Sequence, residues 1–139
     1  MQKISELADR FENKERPAGN ILDTLDILSQ AIAATNFYAG YAALSAHLAI
    51  PIADPAPVTP APYPEITGET ELSVSEWTLI RPLFLLYVER ENAIQLEASR
   101  GMGIDPFGRP SSEIAADIAL MESSAELPHR ASFREVITV

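Results

Sequence analysis

Six prolines fall within the fourteen residues Pro51 to Pro64, "PIADPAPVTPAPYP". Proline fixes φ and carries no backbone N–H, so this stretch builds neither a helix interior nor a central strand and favours polyproline II. All regular structure must therefore lie to either side of it. At about 3.1 Å per residue the segment reaches some 40 Å when extended. It is either a passive spacer or an arm that crosses a neighbouring surface, and the arm is the preferred reading. Pro57 and Pro60 supply a P-x-x-P spacing, but no arginine accompanies it.

The chain of 139 residues is long enough for one modest core, or for two small helical parts joined by a linker. The division expected is a helical region over 1–50, the Pro-rich arm and linker over 51–74, a helical core over 75–127 and a C-terminal strand arm over 128–139. The fold class expected is mainly α, a small helical bundle with an extended arm and a C-terminal β-strand.

In the first region Ile4, Leu7, Ala8 and Phe11 recur at helical spacing and predict a helix over 3–14. Pro17 and Gly19 punctuate the chain, and Asn20 is the expected cap of a second helix, with Asp23 in its first turn. That helix is expected to run to about Leu48, with Ile21, Leu25, Leu28, Ile32, Tyr41, Leu44 and Leu48 as its apolar positions. It is rich in alanine, which permits close approach of a neighbouring backbone, either within an ordinary core or against copies of itself. No charged residue stands between Asp26 and Asp54. The length would cross a bilayer. Gln30, Asn36 and His47 interrupt it and no basic flanks adjoin it, so a buried helix is expected and not a membrane span.

Beyond the prolines, "ITGETELSV" suggests a small strand or hairpin around Gly68. A third helix follows, with Ser75 as its expected cap and Glu76 near its positive end. Pro82 then predicts a break or bend, or a fresh start near Arg81. Leu83 to Val88 are all apolar, the pattern of a helix with protein on every side. A chain this small is not expected to encircle that run alone, which implies subunit neighbours. Farther on, Ala93, Ile94, Leu96 and Ala98 alternate with charges, Glu97 and Arg100 form an i, i+3 pair, and Gly101 is the expected C-terminal stop. Ser111 or Ser112 caps a fourth helix with Ile114, Ile118 and Met121 buried, ended by Pro128. The last eight residues, "SFREVITV", favour a strand with no partner in a helical chain, and an unpaired edge invites another chain.

Sites of chemistry are sparse. The net charge of −10 disfavours gripping nucleic acid, although it suits a wall that DNA slides past. Cysteine is absent, which removes disulfides, thiolate metal sites and cysteine nucleophiles. The start, "MQKISELADRFENKER", is charged and has no apolar centre, so no secretory signal is expected. His47 is expected in a core or interface and His129 in solvent. Gly101, Gly103 and Gly108 miss the dinucleotide pattern, because Pro106 takes the third glycine's place. Glu89, Glu91 and Glu97 are expected on a solvent face. No catalytic residue, metal site or cofactor is called for, and no enzyme activity is expected.

Residues 76–122, "EWTLIRPLFLLYVERENAIQLEASRGMGIDPFGRPSSEIAADIALME", resemble small virion proteins of tailed bacteriophages, the head-to-tail connector or adaptor proteins of the neck. The elements that carry the resemblance are the E-W-x-x-I-x-P-L start from Glu76 to Leu83, then "YVERENAIQLEASR", then "GIDPFGRPSSEIAADI". They cover about a third of the chain. The resemblance implies a mainly helical subunit of a homo-oligomeric ring, commonly of twelve copies, below the portal protein. It implies that a terminal arm docks on the portal or on a tail or collar protein. The partner-binding residues expected on that reading are Phe133, Val136, Ile137 and Val139 of the terminal strand, with Trp77 and Pro82 of the motif. The location implied is the virion neck, assembled in the host cytoplasm. The Pro-rich segment has no counterpart in the usual small helical adaptors. A capsid decoration protein with extended arms is the alternative.

Overall fold

The computed structural model describes residues 1–49, 63–99, 109–123 and 126–131. Within these the protein is mainly α. A two-residue strand β1 (Gln2–Lys3) leads into α1 (Ile4–Arg10), which widens into a π-helical turn over Phe11–Glu15. Then come α2 (Thr24–Ala39), the single turn α3 (Ser45–Leu48), strand β2 (Glu71–Leu72), α4 (Val74–Ala98) and α5 (Ser111–Met121). Residues 127–131 form a further helical turn.

The first helix falls where its periodicity places it: Ile4, Leu7, Ala8 and Phe11 are all buried. Glu6 reaches back to accept the Lys3 N–H at 3.2 Å, which stabilises the first turn. The expected strand near Gly68 is real, but its partner is the N-terminus. Gln2 pairs antiparallel with Leu72 and Lys3 with Glu71, while the Ile4 and Ser5 N–H groups donate to Thr70 and Gly68 carbonyls.

The second helix differs from its expected form at both ends. Asn20 does not cap it. Its Oδ1 accepts the Leu22 N–H at 3.2 Å, a local turn that follows Gly19, whose φ of 87° is one glycine adopts without strain. Asp23 is the cap, accepting the Asp26 N–H at 2.8 Å. At the other end α2 stops at Ala39 and the chain turns through Gly40 before α3 begins. The apolar positions divide. Leu44 is buried and Leu28 and Ile32 pack against the core, but Ile21, Leu25, Tyr41 and Leu48 are exposed, and Ile27, Ala31, Ala34, Thr35 and Tyr38 are buried. Ala31 and Ala34 face inward, and their small side chains let α2 lie close against α4. No described helix is long and apolar enough to cross a membrane.

α4 is the axis of the fold. It packs against α2 on one side and α5 on the other, and α1 packs on α2. Its cap is Ser73, two residues before the expected Ser75, because Glu76 then stands at the third helical position and completes a capping box with Ser73. The helix runs unbroken for 25 residues through Pro82, so the expected break is absent. Proline costs one intrahelical hydrogen bond at that point, and the packing on both flanks holds the helix together regardless.

Leu83, Phe84, Tyr87 and Val88 are buried, and Leu85 and Leu86 pack half-buried against the same core. The chain covers this run with its own π-helical turn, α2 and α5, so its burial does not call for subunit neighbours. Phe84 lies at the centre, edge-on to Phe11 at 5.3 Å and tilted against Trp77 at 5.3 Å. One continuous apolar cluster extends from Ile4 to Ala131 and includes Ile66 and Leu72 from the stretch after the prolines.

α5 begins at Ser111 with Pro110 in the cap position. Ile114 and Ile118 are buried as expected, and Met121 packs against the cluster. Pro128 does not end this helix. It sits in the first turn of the segment 127–131, a place proline tolerates, between buried Leu127 and Ala131. The expected C-terminal stop at Gly101 and the whole strand "SFREVITV" lie outside the described residues.

Candidate functional site

The described part of the stretch that carries the resemblance lies in α4 and α5 and the residues beside them, and polar side chains lock the two helices together at several levels. Glu97, expected in solvent beside Arg100, turns instead to the start of α5. Its two oxygens accept the Ser111 N–H and the Ser111 hydroxyl, each at 2.8 Å. A carboxylate at a helix N-terminus satisfies orphan donors and meets the positive end of the dipole. It does so here across two helices.

One residue before that cap, Arg109 spreads over three carboxylates. Its Nε donates to Glu89 at 2.9 Å, and its Nη1 reaches Asp117 at 2.5 Å and Glu113 at 3.4 Å. The Glu89 hydrogen bond, then the one to Asp117, hold the guanidinium firmly protonated, well above its usual range. Arg109, Glu113 and Asp117 follow one another at intervals of four, so part of this fan was visible in the sequence. Glu89 was not. Farther along, the Tyr87 hydroxyl donates to Glu122 at 3.0 Å, and burial first, then the Glu122 charge, push the phenol up from its ordinary value.

At the opposite end of α4, Glu76 is fully buried. One oxygen accepts the Ser73 N–H at 2.9 Å and the other the Ser45 N–H at 3.0 Å. A single side chain thereby caps α4 and α3. The break of α2 at Gly40 makes sense in this light, since only a chain that turns there presents the Ser45 N–H to Glu76.

Between these ends a groove of about 410 Å³ runs along α4. Phe11, Leu85 and Val88 form its floor, and the Pro17–Asn20 turn, Arg81 and Arg109 form its rim. Arg81 is bound to Glu15 at 2.5 Å across the mouth, and Asn92 anchors the turn by accepting the Ile21 N–H at 2.7 Å. Both arginines are matched by carboxylates of the same chain, so the groove presents mixed polarity over an apolar base. The π-helical turn at Phe11–Glu15 shapes one wall, a distortion that often accompanies functional surfaces.

Of the residues expected to bind partners, Trp77 and Pro82 are described and both are half-buried. They stand five positions apart on α4, about 140° around the helix, and do not share a face. Trp77 lines a separate crevice of about 160 Å³ with Met1, Leu7 and Leu72. Phe133, Val136, Ile137 and Val139 lie outside the described residues. His47 is buried and stacks on Tyr63, with ring centroids 5.0 Å apart, and His129 is exposed. Among the described residues no group of three or more His, Asp and Glu side chains is placed to hold a metal ion. Comparison of the chain with protein-family profiles, curated proteins and solved structures found no match in any of the three.

Proposed function

We propose that this chain is a structural virion protein, a head-to-tail adaptor of a tailed bacteriophage. On this reading copies join in a ring, twelve in number, below the portal, and the C-terminal segment docks on the portal or on a tail or collar protein. The observation that carries the reading is that the described part of residues 76–122, namely 76–99 and 109–122, comprises two helices clamped together by Glu97 and Arg109. The acidic balance suits a passage through which DNA moves without adhering. Ile21, Leu25, Val74, Ile94 and Leu120 remain exposed and offer apolar area to neighbouring proteins.

A pull-down with purified portal rings tests this, using the full chain and a form ending at residue 131. Recovery of the full chain and loss of the shortened form is the expected result. Equal recovery of both removes the hook. Recovery of neither overturns the neck position, and binding of the full chain to assembled capsid shells would then mark it as a decoration protein.

A further inference from the structure

A second cleft, of about 480 Å³, opens where the end of α2, the turn α3 and the chain after residue 62 meet. Two aromatic pairs stand at it. Tyr41 leans on Phe37 with centroids 5.3 Å apart, and Tyr63 lies nearly flat on His47 at 5.0 Å with 19° between the planes. The outer ring of each pair is open, Tyr41 being 46 % and Tyr63 55 % exposed. His47 is an inner ring, only 8 % exposed, yet among the described residues neither of its nitrogens has a hydrogen-bond partner. Those nitrogens are not sealed off from solvent, so what reaches them enters through the cleft that His47 lines. A polar group so nearly buried is costly to leave unmatched.

Two further groups of the wall are acceptors. Asn36 donates its Nδ2 to the Ile32 carbonyl at 3.1 Å, which leaves its Oδ1 over. The Glu65 carboxylate has neither an ion pair nor a hydrogen bond among the described residues. No lysine or arginine lines the cleft. Open π faces, an unmatched carboxylate, a carboxamide oxygen and an imidazole lone pair together favour a cation that carries N–H donors. An anion is repelled here, as it is by the net charge of −10. Guanidinium fits this set better than an ammonium. It is flat, so it lies on a tyrosine ring while its in-plane N–H groups reach acceptors at the edge, whereas an ammonium is a compact and strongly hydrated point charge.

We propose that the cleft is a binding site for a guanidinium group, borne by an arginine side chain of a partner protein or by a small molecule. Tyr41 and Tyr63 supply the face, Glu65 the counter-charge, and His47 and Asn36 the acceptors at the edge. The proposal stands apart from the neck reading, and either can fail alone.

The test is an NMR titration of the isotope-labelled full chain with N-acetyl-arginine amide, its citrulline counterpart and N-acetyl-lysine amide. Saturable shifts centred on Tyr41, His47, Tyr63 and Glu65 are expected with the arginine compound. Citrulline keeps the shape without the charge, and lysine keeps the charge without the plane. Each is expected to bind about tenfold more weakly. Tyr63→Ala and Glu65→Gln, both at exposed positions, are expected to weaken arginine binding about tenfold apiece. Circular dichroism confirms that the variants fold. Absence of saturable shifts, shifts spread over the whole acidic surface, equal binding of citrulline or lysine, or unchanged affinity in either variant overturns the proposal. Methylguanidine and the blocked tripeptide Ala-Arg-Ala then separate the two sources. Tighter binding of the tripeptide assigns the site to an arginine side chain of a protein, and tighter binding of methylguanidine assigns it to a small molecule.

Discussion

The two ends of α4 are secured by carboxylates in opposite settings. At the N-terminal end Glu76 is wholly excluded from water and accepts from two backbone donors, the Ser73 and Ser45 N–H groups. At the far end Glu89, Glu97 and Asp117 meet Arg109 and Ser111 at a partly wetted seam. The number of polar contacts is larger at the second end, yet the energetic weight is expected at the first. A buried donor stripped of its acceptor pays the full desolvation cost, whereas one at the surface finds water.

The sharpest way to break this comparison is Glu76→Ala. It removes the shared acceptor of the Ser73 and Ser45 N–H groups and the volume of a fully buried side chain, so a loss of about 3 kcal/mol is expected in chemical denaturation. Glu76→Gln keeps one acceptor and is expected to fall between. A loss under about 1 kcal/mol for Glu76→Ala would show that water reaches this end, and the contrast would collapse.

Glu97→Ala comes next, at about 1 kcal/mol, because it removes a cap from α5 in a half-exposed place. The loss should be partly restored by Glu97→Gln, whose carbonyl still accepts from Ser111. Hydrogen exchange sharpens the point: amides of the first turn of α5 should exchange faster while those of α2 are unchanged. Uniform acceleration through both helices would mean that the seam supports the whole core.

How much of this was legible in the sequence differs between the same two ends. Periodicity located α1 and α5 through Ile4, Leu7, Phe11, Ile114 and Ile118, because a helix with one wet face writes its burial directly into its spacing. It failed on α2. There the inward residues Ile27 and Tyr38 are joined by Ala31, Ala34 and Thr35, which are too small to weigh against exposed Leu25 in an apolar count. Ser73 and Glu76 spell a capping box, while Ser75, one residue before Glu76, competes as a cap by residue type alone. The Glu97–Ser111 bond and the union of Glu76 with Ser45 were not readable at all. Both join residues far apart in sequence, and local pattern carries no term for them. The run Leu83 to Val88 gave the right environment and the wrong owner, since composition does not say whether one chain or several supply the walls.

Tyr87 offers a pH-dependent handle on the seam. Burial and Glu122 raise its pKa in the folded state, so the folded protein holds the phenolic proton more tightly than the unfolded chain. The resulting stability is fully present below the unfolded value of about 10 and is lost as pH rises beyond it. Tyr87→Phe is expected to cost about 1 kcal/mol at neutral pH through the lost bond to Glu122. It is also expected to flatten the decline of stability above about pH 10. An unchanged alkaline slope would mean that the hydroxyl is solvated and that this part of the seam is wetter than its neighbours.

Arg109→Ala is expected to have the smallest effect, although it deletes the most contacts. Its partners Glu89, Glu113 and Asp117 keep roughly half of their surface in water, and the side chain gives up rotamer freedom to hold its fan. What remains is long-range attraction in an acidic protein, which salt screens over about 10 Å at 0.1 M and about 3 Å at 1 M. The destabilisation should therefore appear at low ionic strength and vanish in molar salt, followed by paired denaturation curves of both proteins. A loss that persists undiminished in molar salt would place the guanidinium in a desolvated site, and the two ends of α4 would then be held by the same physics.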